Sequence, residues 1–411
     1  FELRVLTPCL LEGSVYRAWL KRWLAQGDRK RKSLALRERL IDGVRRHFKG
    51  QGFLEMQTPT LVPCGGMEPN LHAFTTTWKG PDSRFEAEFH LPTSPEFQLK
   101  KLLALGYEKI FELARSYRNG EISPTHQPEF TMLEWYRAYD SYETIMDDVE
   151  ELVSGLALNE CGEMRLAYKD VPIDLTPPWH RVSVRELFLE RLGLDFDILT
   201  DAKSLARAAK LAGYGYVKEE ESFDDCYFRL FLTEIEQGLG WDKPVILYDY
   251  PIEMAALARR KPHAPRYAER FEVYMAGIEL ANAFGELTNA PEQARRFDVF
   301  TLESEAARGF HYEPDGEFME ALQFGLPPTG GIALGLDRLV MLFANETALD
   351  AVLPLPHKAP VKSEEDALWE EHEQKASDPA LPVVTAAMSI AEKSAGGVPP
   401  IELTAEAVHD D

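Results

Sequence analysis

Between Tyr117 and Tyr136 the chain reads YRNGEISPTHQPEFTMLEWY, which spreads an arginine, three carboxylates, a histidine and several aromatic rings over two strand-like stretches and the loop between them. Such a set suits an anion, a flat ring and an amine held together. With side chains alternating between faces, the incoming strand Ile110 to Arg118 sets Glu112, Ala114, Ser116 and Arg118 on one face and Phe111, Leu113 and Tyr117 on the other. The outgoing strand sets Phe130, Met132, Glu134 and Tyr136 against Thr131, Leu133 and Trp135. A charged face backed by an apolar one predicts a ligand-bearing sheet. Arg118 offers a planar fork to a phosphate or carboxylate, and Phe130 offers a ring on which a purine can stack. An ordinary surface hairpin with salt bridges is the alternative.

Two further segments carry related chemistry. In Gly330 to Arg338, GGIALGLDR, small residues let a ligand approach the strand backbone. Arg338 falls in the first turn of the following helix, where the dipole also favours anions; close packing of a strand on a helix is the other reading. In Glu272 to Glu286, EVYMAGIELANAFGE, Glu272 and Glu279 are oxygen ligands of the kind Mg²⁺ takes when it bridges ATP phosphates. Strict alternation groups Asn282, Phe284 and Glu286 but leaves Glu279 on the opposite face, so a bend is required, expected at Gly277. Exposed strand carboxylates are the alternative here. The chain contains no GxSxG, HExxH or GxxxxGK[ST] pattern. His126 and Cys64 are therefore poor nucleophiles or bases, and His126 reads as a solvated or capping loop residue.

Composition narrows the classes. With 411 residues, 45% of them hydrophobic, the chain can bury a large core in one domain or two. No apolar run approaches the roughly 20 residues that span a bilayer. Cys9, Cys64, Cys161 and Cys226 are scattered without zinc spacing and read as free, buried thiols of a cytoplasmic protein. The sequence opens on Phe1 without a signal-peptide pattern, which leaves room for an upstream piece. The net charge of −23 argues against extensive nucleic-acid contact, which depends on Lys and Arg. Residues 359–411 hold 12 acidic and 3 basic side chains, so −14 of that charge lies on the first 358 residues. The basic run Arg29 to Lys32 reads as a solvated turn ahead of a helix.

Positioning these residues takes a short helical extension over residues 1–33, with Tyr16, Trp19, Leu20, Trp23 and Leu24 at helical spacing. A helix from Leu34 to about Gly50 and a short strand Phe53 to Met56 come next. After the hairpin, residues of about 140–240 read as a helical insertion within a domain spanning 34–356. Lys243 to Tyr250 reads as a buried strand, Arg270 to Leu287 as a bent strand pair, and Leu336, Leu339, Val340 and Phe343 as one face of a final helix. Residues 357–411 read as an acidic, disordered tail.

Together, Gly52-Phe53-Leu54-Glu55-Met56-Gln57-Thr58-Pro59, the YRNGE hairpin and GIALGLDRLVML resemble motifs 1, 2 and 3 of class II aminoacyl-tRNA synthetases of the lysine subgroup. The resemblance spans roughly residues 34–356 and implies an α+β fold, an antiparallel β-sheet flanked by helices, in a homodimer. It also implies that Arg118 holds the α-phosphate and substrate carboxylate, Arg338 the γ-phosphate, and Phe130 the adenine. Asn119, Gly120, Glu121, His126, Gln127, Leu280 and Gly335 complete the implied ATP site, with Glu272 and Glu279 organising Mg²⁺. The implied amino-acid pocket is Ser94-Pro95-Glu96, Glu134, Tyr136, Asn282, Phe284, Glu286 and Ala333. Glu286 is expected on the side-chain amine, because a buried amine needs a carboxylate partner, and Glu96 on the backbone-side amine.

Ala333 standing where those synthetases carry glycine, the phrase HQPEFTMLEWYR, and only about 33 residues ahead of motif 1 are most similar to the elongation factor P–(R)-β-lysine ligase family. That implies activation of lysine or (R)-β-lysine with ATP and transfer to a lysine side chain of elongation factor P. It makes tRNA an unlikely partner and a membrane none. A tRNA-charging enzyme and a non-catalytic ATP- or lysine-binding regulator are the rivals. Motif 2 carries its carboxylate one place late, at Glu121, so either Gly120 bends the loop to compensate or the acidic contact near adenine is lost.

Overall fold

Leu40, Val44 and Phe48, four residues apart, form the buried stripe of the long helix α1 (Ser14–Gly50). In chain order there follow β1 (Leu54–Glu55), β2 (Phe74–Lys79), β3 (Glu86–Leu91), α2 (Glu96–Ala104), β4 (Lys109–Tyr117), β5 (Glu129–Ala138) and α3 (Tyr142–Cys161). Next are β6 (Arg165–Tyr168), β7 (Val171–Asp174), β8 (His180–Ser183), α4 (Val184–Leu192), α5 (Ala202–Leu211) and α6 (Phe223–Glu234). The last part holds β9 (Val245–Pro251), β10 (Tyr267–Met275), β11 (Ile278–Gly285), α7 (Ala290–Arg308), α8 (Gly316–Gly325), β12 (Thr329–Gly335) and α9 (Leu336–Phe343). This computed structural model describes residues 14–68, 71–81, 85–308 and 313–357, without the side chains of 14–26, 303 and 306–308. The acidic tail beyond residue 357, Cys9, and the aromatic side chains expected to line the N-terminal extension lie outside the described residues.

Among the described residues, eight strands form one sheet in the order β1-β4-β5-β12-β11-β10-β9-β8. Its inner ladders are antiparallel, and only the two edge strands, β1 on β4 and β8 on β9, pair in parallel. The expected α+β fold with a mostly antiparallel sheet is what the chain adopts. The odd-numbered face of the hairpin, Phe111, Leu133 and Trp135, packs against α1, α3 and α9 in one apolar layer. Trp135 is 0% exposed, and burying each such large side chain contributes roughly 1.5–3 kcal/mol. The opposite face keeps its polar residues and is walled by α2, α7 and α8 at one end and α4 to α6 at the other.

Several expectations shift. The extension and the next helix meet at a kink at Gly27 (φ 35°, ψ −128°) within the span of α1, so the boundary between them lies ahead of Leu34. Arg29 to Lys32 lies inside this helix: Arg29 pairs with Glu346 at 2.5 Å, and Lys30, only 5% exposed, donates to the Asp350 carbonyl at 3.0 Å. A buried ammonium with a carbonyl partner is a tether, so the solvated-turn reading is corrected for Lys30 and for the turn, while Arg29, Arg31 and Lys32 are exposed as expected. Within 140–240, α3 packs on the core layer and β8 joins the main sheet, so the separate helical cluster is narrower, α4 to α6. Cys64 and Cys226 are buried thiols, whereas Cys161 is exposed. No described helix is long and apolar enough to cross a membrane.

Candidate active site

One register row crosses the middle of the sheet. Glu272 on β10 pairs with Asn282 on β11, Asn282 with Ala333 on β12, Ala333 with Glu134 on β5, and Glu134 with Glu112 on β4. Residues paired in this way share a face, and the next row on that face runs Phe284, Gly331, Tyr136. Glu272, Asn282, Ala333, Glu134 and Phe284 floor an open cleft of about 270 Å³, whose walls include Arg118, Glu121, Phe130, Leu280, Gly335 and Arg338. Four buried side-chain atoms on this lining, Arg118 Nε, Arg270 Nε, Glu134 Oε1 and Asn282 Oδ1, have no hydrogen-bond partner among the described residues. Buried polar atoms are normally paired, so two donors and two acceptors left open around one cleft point to a ligand.

Glu279 reaches this face through a bulge. Val273 pairs with Ala281 but Tyr274 with Glu279, which leaves Leu280 as the extra residue. The bend expected at Gly277 is therefore corrected to Leu280. Ala276 and Gly277, both with positive φ, make the tight turn of the hairpin instead. Leu280 and Glu279 both line the cleft as a result.

The two arginines are held differently. The Arg118 guanidinium carbon lies 5.1 Å from the Phe130 ring centroid, a cation–π distance. Arg338 donates from Nη1 to the Glu279 carbonyl at 2.7 Å and from Nε to the Thr125 carbonyl at 3.2 Å, while Nη2 lies 2.8 Å from His126 Nε2. A guanidinium only donates, so His126 Nε2 accepts and its Nδ1 carries the proton toward Ser123 Oγ, 2.8 Å away. Burial, then Arg338 and Arg118, push the His126 pKa down to about 4. His126 is thus a neutral acceptor that aims Arg338, which corrects the solvated-histidine reading. The start of α9 is pinned by Asp337, which accepts from Thr131 N at 2.9 Å and pairs with Arg37 at 2.5 Å.

Of the two carboxylates expected at Mg²⁺, Glu272 is already surrounded: Arg270 donates to Oε1 at 2.7 Å, and Tyr250 and Tyr274 donate to Oε2 at 2.6 and 2.5 Å. Glu279 has its nearest cation, Arg338 Nη1, at 4.0 Å. Burial, and then the charge of Glu272, raise its pKa to about 7. A hard cation would relieve that repulsion, so the oxygen donors fit Mg²⁺, with Glu279 as the available ligand and Glu272 as a fixed charge behind it.

On the amino-acid side, Ser94 and Glu96 line the cleft, and Pro95 sits just behind them at the N-cap of α2. Ser94 Oγ accepts from Glu96 N at 3.2 Å. Tyr136 donates to Glu134 Oε2 at 2.9 Å, and burial, reinforced by Glu96, raises the Glu134 pKa well above the carboxylate range. Glu286 stands one layer behind the lining. Its Oε2 lies 2.6 Å from Lys100 Nζ, and Glu96 Oε1 is 2.5 Å from the same nitrogen. Both carboxylates assigned to substrate amines thus already share an ammonium of the chain. A Cβ at Gly331 would sit 2.3 Å from Glu286 Oε1 and from the Tyr136 ring, so the smallness there serves the protein's own side chains.

At the motif 2 loop, Gly120 takes a positive φ of 83° and Glu121 beyond it reaches the cleft lining. Asn119 N donates to the His72 carbonyl at 2.7 Å. Gln127 touches the lining, but its amide is engaged elsewhere: Oε1 accepts from His357 N at 2.8 Å and Nε2 lies 3.4 Å from Asp350 Oδ1. Those contacts brace the loop from behind. Lys100 and Arg270 escaped the sequence reading, although each had a signal: Lys100 follows Glu96 by four residues on a helix, and Arg270 precedes Glu272 by two on a strand. Phe228, Phe231 and Leu232 of α6 also line the mouth, a contribution that no local pattern announces.

Residues 19–359 match the model of the family described as tRNA synthetases class II (D, K and N). The chain is 36% identical over 327 residues to a lysine–tRNA ligase of Pelotomaculum thermopropionicum, covering 79% of this chain and 63% of that protein. It is 36% identical over 328 residues to one of Nostoc punctiforme, covering 79% and 57%, and 36% identical over 324 residues to one of Magnetococcus marinus, covering 78% and 62%. The chain therefore spans about three-fifths of the length of these relatives. A match over residues 19–359, a span that includes the residues that floor and wall the cleft, means that the chain belongs to the class II tRNA synthetases of the D, K and N type.

Proposed function

We propose that the protein activates lysine or (R)-β-lysine with ATP as an aminoacyl-adenylate and passes it to a lysine side chain of elongation factor P. The observation that carries the activation step is the set of open polar atoms, Arg118 Nε, Arg270 Nε, Glu134 Oε1 and Asn282 Oδ1, around one cleft. Arg118 and Phe130 take the α-phosphate and the adenine, and Arg338, aimed by His126, takes the γ-phosphate. The amino acid's ammonium groups meet the acidic floor around Glu134 and Glu96. Its carboxylate oxygen attacks the α-phosphorus, the bond to the β-phosphate bridging oxygen breaks, and pyrophosphate leaves. Bound Mg²⁺, held by Glu279, supplies charge neutralisation across the phosphates. The rest of the acceleration comes from positioning and from the fixed cations, with no side chain required as a general base. The acceptor amine then attacks the carbonyl carbon of the mixed anhydride and releases AMP.

The (R)-β-lysine preference rests on Ala333, whose methyl stands between Asn282 and Glu134 in the floor and crowds the substrate's α-carbon. A second reading, charging of tRNA, is favoured by the relatives, which are lysine–tRNA ligases. Pyrophosphate exchange dependent on lysine or β-lysine tests the activation step, and absence of exchange with both would leave a non-catalytic binder. Offering elongation factor P and tRNA-Lys to the charged enzyme tests the acceptor; label on tRNA alone refutes the protein acceptor.

A further inference from the structure

Glu68 stands on a stretch of chain that is fastened on either side of it. Before it, the Gly65 carbonyl accepts from Thr93 N at 2.7 Å and from Thr93 Oγ1 at 3.1 Å, one residue ahead of Ser94. Gly66 presses on the same hydroxyl, since a Cβ there would lie 2.3 Å from Thr93 Oγ1. After it, the His72 carbonyl accepts from Asn119 N at 2.7 Å, and Asn119 follows Arg118 directly. Glu68 is thus held between the amino-acid end of the cleft and the arginine assigned to the substrate carboxylate. Its side chain lines the cleft, and with Ser94 and Glu96 it lines a small adjoining cavity.

No described residue gives the Glu68 carboxylate a hydrogen bond or an ion pair, and the charges that act on it are those of Arg118, Glu96, Arg270 and Lys100. Burial raises its pKa against the pull of Arg118, and Glu96 adds to the rise. Lys100 is already bonded to Glu96. Two carboxylates that repel each other beside an open cleft are relieved by a cation entering between them. Next to Arg118, that cation is the ammonium nearest the substrate's carboxyl group.

We propose that Glu68 is a specificity-determining residue: with Glu96 it holds the substrate's backbone-side ammonium, so that the cleft selects a diamino acid over a monoamino acid of the same length. The inference rests on the activation reading above and deepens it, because it adds a carboxylate from outside the sheet and α2. A site built to hydrogen-bond a substrate N–H rejects the analogue that lacks it.

The probe is 6-aminohexanoate, which keeps the carboxylate and the side-chain ammonium of both lysine and (R)-β-lysine and lacks the backbone-side ammonium. Pyrophosphate exchange is measured on wild type and Glu68→Gln with whichever diamino acid supports it, giving KM for that amino acid, KM for ATP and KI for 6-aminohexanoate as competitor. Glu68→Gln is expected to raise the diamino-acid KM by about 10- to 100-fold, the worth of a hydrogen bond to a charged group, while the ATP KM and the KI stay within about twofold. If the KI rises in step with the KM, Glu68 shapes the pocket rather than holding the ammonium. If both constants fall, it is an internal anion that shields Arg118, and if the KM is unchanged it meets no substrate. Each of these three results overturns the inference. Should 6-aminohexanoate not compete even in wild type, the ATP KM is the reference: a rise confined to the diamino acid supports the inference and a shared rise overturns it. Should Glu68→Gln fail to fold, Glu68→Asp, which draws the carboxylate back by one methylene, is held to the same comparison. Wild-type exchange separates the two levels. If it is absent, the activation reading fails and this inference with it; if it is present and the constants of the variant do not diverge, only this inference falls.

Discussion

Glu279 is the group whose titration the cleft makes most consequential. Burial, and then Glu272, lift its pKa to about 7. It is thus about one-tenth ionised at pH 6 and about nine-tenths at pH 8, roughly a ninefold difference. The charged form is the one that attracts Mg²⁺, and a raised carboxylate gains charge as pH rises. The value of kcat/KM for ATP follows ionisations of the free enzyme, so at saturating amino acid it should climb by about ninefold from pH 6 to 8 through this group. Glu279→Gln deletes the titration, which makes the ratio of wild type to variant grow toward pH 8. The γ-phosphate of ATP titrates in the same window, but equally for both proteins, so the ratio isolates Glu279. Pyrophosphate exchange across this range is the assay. A ratio that stays flat refutes the reasoning, as does a pH dependence that disappears with His126→Asn, because His126 is expected to be neutral throughout.

Three further outcomes follow from packing. Arg37→Met strands Asp337, whose side chain is 3% exposed, and should cost about 3–5 kcal/mol in urea unfolding; a loss below 1 kcal/mol, the scale of surface pairs, would mean that the Asp337 bond to Thr131 N suffices. Gly331→Ala places a Cβ 2.3 Å from both Glu286 and Tyr136, so it should destabilise by about 1–3 kcal/mol and raise the amino-acid KM, with unchanged values of both contradicting the crowding. Ala333→Gly removes a methyl from the floor and should move the kcat/KM ratio toward α-lysine over (R)-β-lysine by about 10- to 200-fold, the worth of one methylene-sized difference; an unchanged ratio would clear Ala333 of that role.

Alternation alone locates the polar and apolar faces of the hairpin, because a sheet buried on one side reads out polarity at every second residue. It also sets Asn282, Phe284 and Glu286 apart from their neighbours. Alternation fails at Glu279, since a bulge adds a residue at Leu280 without any composition that marks it, while Gly277 carries a stronger local signal and is used for the turn. Partners far apart in sequence are equally hidden. Lys30 looks like surface charge until Asp350 is folded against it, and nothing along the chain announces that the backbone of His357 donates to the Gln127 carbonyl oxygen. Lys100 is half legible: its spacing from Glu96 is visible along α2, but Glu286 arrives from β11's far end, 186 positions later, and only the folded sheet brings them together. The helices that wall the mouth, with Phe228 and Leu232, carry no local pattern that ties them to the cleft.

The central claim is that this cleft joins a lysine-type amino acid to AMP. Pyrophosphate exchange by the wild-type protein, with lysine, (R)-β-lysine, aspartate and asparagine supplied one at a time, tests it most directly. Exchange supported by lysine or (R)-β-lysine and by neither of the others is the predicted result. Exchange with aspartate or asparagine instead, or with none of the four, contradicts the account.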